Sequence, residues 1–126
     1  MRQSGVTEMA RILIIDDSPE ICDTLRAALE HGGHEVEDTS NFQCALRTIQ
    51  TGDYDVLIAD GWFPKHPESG PEPLGPELLR RASGACRVRI LHSGDATLST
   101  GARGNGIKIL PKCSSLREIL AAVEGR

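Results

Sequence analysis

Five polar residues in this 126-residue chain stand where apolar runs stop: Asp16, Asp17, Asp60, Ser93 and Lys112. The run Ile12 to Ile15 ends in the acidic pair, and Val56 to Ala59 ends at Asp60. Val88 to His92 gives way to Ser93, and Ile107 to Leu110 to Pro111-Lys112. Three carboxylates in one crevice repel one another and raise each other's pKa unless a cation neutralises them. A hard divalent cation is therefore implied. Magnesium suits the set best, because it takes a few carboxylate oxygens, keeps waters and leaves positions open for phosphate oxygens. A lysine and a hydroxyl aimed at the same point complete a phosphoryl pocket, neutralised by metal on one side and by ammonium on the other. Singly, the acidic pair could cap a helix, Asp60 could be a turn residue, Ser93 a loop cap and Lys112 a solvated charge. It is their joint placement at strand ends that carries the chemistry.

The elements that must position these residues alternate along the chain. Residues 1–10 show no periodicity and read as a tail before one domain over 11–126. Arg11 to Ile15 is a continuous aliphatic run of the kind that forms a strand buried on both faces. Ser18-Pro19 supplies an N-cap and an N1 proline, and Ile21, Leu25, Ala28 and Leu29 keep helical spacing as far as Gly32-Gly33. A strand over 35–38 leads to a Ser40 or Asn41 cap and a helix with Phe42, Ala45, Leu46 and Ile49 on one face. A third strand covers 55–60. Gly75-Pro76 opens the next helix, through Leu78, Leu79 and Ala82, and a fourth strand covers 87–92. A short helix near 95–101, a fifth strand over 107–110 and a Ser115-x-x-Glu118 capping box complete the series. In the last helix Leu116, Ile119, Leu120 and Val123 share the apolar face. Strict alternation of this kind demands a doubly wound α/β fold: a five-stranded parallel sheet with right-handed crossovers and helices on both faces. Ligands of such sheets bind outside the carboxyl ends of the strands, where all five polar residues fall. Five of the seven prolines crowd into 64–76, which reads as a stiff, exposed loop.

Composition excludes several other functions. The chain carries 14 basic and 18 acidic side chains, for a net charge of −4. Residues 1–60 hold twelve of the acids and four of the bases. That balance argues against a phosphate-backbone footprint, so nucleic acid is not an expected direct partner. The rings are Phe42, Tyr54, Trp62 and Phe63, and the absence of any beyond residue 63 removes a base-stacking platform from the second half. No apolar run is long enough for a membrane span and no signal-peptide core is present, which predicts a cytoplasmic protein without membrane insertion. Cys22, Cys44, Cys86 and Cys113 lack metal-ligand spacing and read as reduced, mostly buried thiols. His31 and His34 flank a Gly-Gly turn and read as surface residues.

The ordered set of strand ends resembles the receiver domain of two-component response regulators, over about residues 11–124, with the flavodoxin-like strand order 2-1-3-4-5. The resemblance rests on Ile12-Leu-Ile-Ile-Asp-Asp-Ser-Pro19, on Tyr54-Asp-Val-Leu-Ile-Ala-Asp-Gly-Trp-Phe-Pro64, and on Ser93 and Lys112 at the family's hydroxyl and lysine positions. It implies that Asp60 is the phosphoacceptor, supplied by a sensor histidine kinase or a histidine phosphotransfer protein. It also implies that Asp17, Asp60 and the Trp62 carbonyl ligate Mg²⁺, with Asp16 acting mostly through a bound water. Lys112 would pair with the acyl phosphate and Ser93 would hydrogen-bond a phosphoryl oxygen. Such a protein is no enzyme in the usual sense, since it catalyses only its own phosphorylation and dephosphorylation.

Several positions depart from the family's pattern. Ile109 stands where an aromatic residue is usual, and Cys113 replaces the proline that usually follows the lysine. The 64–75 stretch is longer than usual, while the interval from Ser93 to Lys112 is short. With the chain reaching Arg126 just after the last helix, the expected output is contact with a downstream protein target or onward relay of phosphate. The alternative reading is a pseudo-receiver, a phosphorylation-independent interaction module, which Ile109, Cys113 and the shortened fourth helix favour.

Overall fold

The computed structural model describes residues 9–102, 104 and 106–125, so most of the expected tail lies outside the described residues. Five long strands form one parallel sheet: β1 (Arg11–Ile15), β2 (Glu35–Thr39), β3 (Val56–Asp60), β6 (Val88–His92) and β7 (Lys108–Leu110). They lie in the order β2-β1-β3-β6-β7, equivalent to the expected 2-1-3-4-5 order. The remaining strands, β4 (Phe63–Pro64) and β5 (Pro71–Glu72), form a separate antiparallel pair. The helices are α1 (Pro19–His31), α2 (Phe42–Thr51), α3 (Gly75–Arg81), α4 (Ala96–Ala102) and α5 (Leu116–Val123).

The sheet is apolar on both faces because successive strand side chains point to opposite sides and helices cover each side. Leu13, Ile15, Leu57, Ala59 and Leu91 face α2, α3 and α4, meeting Phe42, Ala45, Leu78, Leu79 and Ala102. Ile12, Ile14, Val56, Ile58, Val88 and Ile90 face α1 and α5, meeting Cys22, Leu25, Leu29, Ile119, Ala122 and Val123. This second layer contains no ring, so its packing is aliphatic throughout.

Local chemistry sets the helix starts. The Ser18 hydroxyl accepts from the Ile21 N–H ahead of Pro19. Asn41, and not Ser40, caps α2 by accepting from Cys44 N–H at 2.9 Å. Ser115 and Glu118 form the reciprocal capping box of α5.

Four sequence readings are corrected. The stiff, exposed loop expected over 64–76 contains paired strands: Phe63 pairs with Glu72 and Pro64 with Pro71. Fully buried Phe63 anchors its base, and Gln43 N–H donates to Lys65 O at 3.1 Å to tie it to α2. Prolines are tolerated in such a short pair because an edge position spares their missing N–H. On α1 the buried position is Cys22, with Ile21 only half-buried, and on α5 Leu116 is 43% exposed. Helix ends turn such positions past the sheet's rim. Only Cys22 and Cys86 of the four thiols are buried, and Cys113 is exposed.

The fourth correction is His34, which is buried, unlike exposed His31. Its Nδ1 accepts from Ala10 N–H at 3.0 Å, and Nε2 lies 3.2 Å from Glu124 Oε2. An accepting Nδ1 places the ring proton on Nε2, toward the Glu124 carboxylate. One side chain thus joins the start of β1 to the end of α5.

Burial, with the Arg87 charge adding to it, holds the His34 pKa below its ordinary value of 6.5. A depressed histidine pKa means the unfolded chain binds the proton more readily, so stability is full above pH 6.5 and falls as pH drops below it. We expect urea unfolding to show this loss, and His34→Gln to reduce the slope. His34→Ala should cost about 1–3 kcal/mol at pH 7, because Ala10 N–H loses its partner.

Candidate functional site

The site lies at the carboxyl edge of the sheet, where the register brings distant residues level. Ile15 is opposite Ala59, and Asp60 is opposite His92, which is opposite Leu110. Asp16, Asp60, Ser93 and Lys112 therefore emerge from four strands at one height. Asp16, Asp17 and Asp60 can bring one carboxylate oxygen each to within 4.8 Å of one another.

Asp16 is buried and fully oriented. Its Oδ1 accepts from Ser18 N–H at 2.9 Å, and its Oδ2 takes the Lys112 ammonium at 2.8 Å. Lys112 Nζ also lies 3.4 Å from Asp60 Oδ1, which accepts from Gly61 N–H at 2.7 Å. Both of these contacts fall on one oxygen of Asp60, and no donor among the described residues holds Oδ2. Asp17 is exposed at the mouth.

Burial pushes the Asp60 carboxyl above its ordinary range, and the Asp16 charge adds to the push. The Lys112 ammonium and Gly61 N–H oppose both effects. Burial also lowers the His92 pKa, with help from the Lys112 charge. Neither ring nitrogen of His92 has a hydrogen-bond partner among the described residues, a feature nothing in the sequence pattern signals.

The rim is built from the neighbouring loops. Ser93 is buried, and its Oγ accepts from Asp95 N–H at 3.0 Å. Asp95 Oδ1 accepts from Thr97 N–H and Leu98 N–H at the start of α4, while its Oδ2 takes the Trp62 indole N–H at 3.0 Å. Trp62 is 43% exposed. Asp95 followed by a short apolar segment is a readable capping signal, but its bridge to Trp62 depends on tertiary placement. Ile109 packs against the α2–α4 layer, and no peptide bond among the described residues is cis, including that before Cys113.

Such a site can hold a divalent cation on its carboxylates and, beside it, an anionic group against the ammonium. The donor set fits magnesium: acidic oxygens gathered at one point, with no thiolate or imidazole among them.

The profile of the response regulator receiver domain matches residues 12–124. The chain belongs to the response regulator receiver domain family. A receiver domain protein from Methanospirillum hungatei is 26% identical, with a TM-score of 0.75 and coverage of 94% of this chain and 93% of that one. A response regulator from Burkholderia pseudomallei, solved with a phosphorylated aspartic acid, calcium ion and citrate, is 23% identical with a TM-score of 0.75. It is covered over 66% of its chain, against 90% of this one. Among curated proteins, the transcriptional regulatory protein TcrA of Mycobacterium tuberculosis is 32% identical over 63 residues. That segment is 50% of this receiver domain but 25% of the relative's length. No described helix is long and apolar enough to cross a membrane.

The raised Asp60 pKa has a consequence for stability. An acid whose folded-state pKa is raised loses stability as pH rises through its titration, so charged Asp60 is a cost at neutral pH. Asp60→Asn should therefore raise the thermal midpoint at pH 7. The gain should shrink as pH approaches 3.8, the carboxyl's ordinary value.

Proposed function

We propose that this receiver domain accepts a phosphoryl group on Asp60 and signals through a change in the Ser93 loop. The observation that carries the reading is the placement of Lys112 Nζ, within 2.8 Å of Asp16 and 3.4 Å of Asp60, beside a three-carboxylate cluster.

Asp60 Oδ2 is the nucleophile, because Oδ1 is already engaged by Gly61 N–H and Lys112. It attacks the phosphorus of a phosphohistidine carried by a sensor histidine kinase or histidine phosphotransfer protein. The new O–P bond forms as the P–N bond breaks, and the departing imidazole takes a proton from solvent. The product is a mixed anhydride, which water hydrolyses to restore the carboxylate. Catalysis here is positioning and charge stabilisation. Lys112 supplies positive charge to the phosphoryl oxygens and Ser93 a hydroxyl donor. Asp16, Asp17, Asp60 and the Trp62 carbonyl would hold Mg²⁺, which supplies the remaining neutralisation of the phosphoryl charge.

The protein acts on no diffusible substrate beyond its own phosphodonor and aspartyl phosphate, so it is a switch rather than a conventional enzyme. Its output is a cytoplasmic protein contact. Ile109 cannot act as an aromatic rotor, which leaves the hydroxyl at Ser93 and its loop to report the phosphoryl group.

Incubation with Mg²⁺ and acetyl phosphate should add one phosphoryl mass, read on the intact protein, and Asp60→Asn should add none. Lys112→Ala should slow uptake by about 10²-fold, the usual scale for removing one electrostatic stabiliser. An unmodified wild-type mass, with histidine phosphodonors failing as well, would overturn the proposal.

A further inference from the structure

Gly61 directly follows Asp60, and it is crowded by the side chain on which the proposed output depends. A Cβ placed on Gly61 would lie 2.6 Å from Ser93 Oγ, 2.8 Å from Leu98 Cδ1 and 3.2 Å from Ser93 Cβ. These nearest atoms all belong to side chains. Gly61 is not among the glycines of positive φ, so its backbone admits an L side chain. What glycine provides at this position is room above its Cα. Gly75 is the opposite case: a Cβ there would meet Asp60 O at 2.3 Å and Gly61 Cα at 2.9 Å, backbone atoms that cannot turn aside.

Ser93 Oγ occupies the room above Gly61. In that rotamer it accepts from Asp95 N–H at 3.0 Å, and Asp95 in turn holds the Trp62 indole and the first turn of α4. Ser93 is 5% exposed, so its hydroxyl has few staggered positions and needs a partner in each. Leu98 borders the same space, which links occupancy by the hydroxyl to the packing of α4.

We propose that Gly61 is a positioning residue. The space above its Cα seats Ser93 Oγ in the resting rotamer, and so sets how readily the hydroxyl leaves Asp95 N–H for a phosphoryl group on Asp60. The inference rests on the phosphoacceptor reading given above. It identifies a steric determinant of the switch in a chain that carries Ile109 in place of a ring. A side chain as small as alanine's would remove the seat: Ser93 Oγ and Leu98 Cδ1 would have to turn aside, and Ser93 Cβ would have to give by a few tenths of an ångström.

A double-mutant cycle between positions 61 and 93 tests this, because it isolates the coupling between the two sites. The readouts are the Asp95 amide resonance in the unliganded protein and beryllofluoride affinity in the presence of Mg²⁺, followed by Trp62 fluorescence. Gly61→Ala is expected to shift the Asp95 amide and to tighten beryllofluoride binding severalfold. Both effects should vanish in a Ser93→Gly background, where neither Oγ nor Cβ obstructs the new methyl. If Gly61→Ala alone fails to fold, Ser93→Gly should restore the fold. An Asp95 amide that ignores the substitution, an affinity change of the same size in both backgrounds, weaker binding, or failure of that rescue would overturn the inference. A wild type that binds no beryllofluoride overturns the phosphoacceptor reading instead, and the amide resonance then decides the seat alone.

Discussion

The Lys112 ammonium between Asp16 and Asp60 is the interaction around which the carboxyl edge of the sheet is built. Two partly desolvated carboxylates cannot share a crevice without a cation, and Lys112 is the cation that the chain itself provides. A lysine suits the task because its charge sits at the end of a long flexible stem and can serve two acceptors at once. The geometry around it follows. Ser18 N–H orients Asp16, Gly61 N–H holds one oxygen of Asp60, and the sheet register keeps four strand ends level. The neutralisation is incomplete: burial and Asp16 still hold the Asp60 carboxyl above its ordinary range. A site in that condition gains from further positive charge, which is what a divalent cation brings.

The two layers that flank the sheet differ in composition. The α1/α5 layer is wholly aliphatic, whereas the α2–α4 layer contains Phe42, Tyr54 and Phe63. Phe63 and the hairpin it roots lie just past Asp60, so the longer connection contains paired backbone. On the opposite rim, Asp95 joins Trp62 to α4, and Ser93 contacts Asp95 and the space above Gly61. The loop after Asp60 and the loop after Ser93 are therefore joined by hydrogen bonds through Asp95 and Trp62.

Much of the architecture could be read from local pattern. Continuous aliphatic runs marked β1 and β3, and the caps at Ser18 and Ser115 formed as their neighbours dictate. The errors share a cause. Ile21 and Leu116 have helical spacing, but their burial depends on where the sheet ends. His34 reads as a surface residue because its partners, Ala10 and Glu124, come from opposite ends of the chain. The prolines suggested a stiff loop, and the pairing of Pro64 with Pro71 depends on Phe63 finding a core position.

The sequence by itself determined the fold class and the residue types of the site, since periodicity, caps and polar strand ends are local properties that survive without coordinates. Only the tertiary structure decided what each site residue does at rest. It assigned Lys112 to both Asp16 and Asp60, left Asp60 Oδ2 without a donor among the described residues, and placed Ser93 above Gly61. The reason is physical: charge pairing, desolvation and steric exclusion act over a few ångströms between groups up to 96 residues apart in the chain. No local pattern encodes those distances.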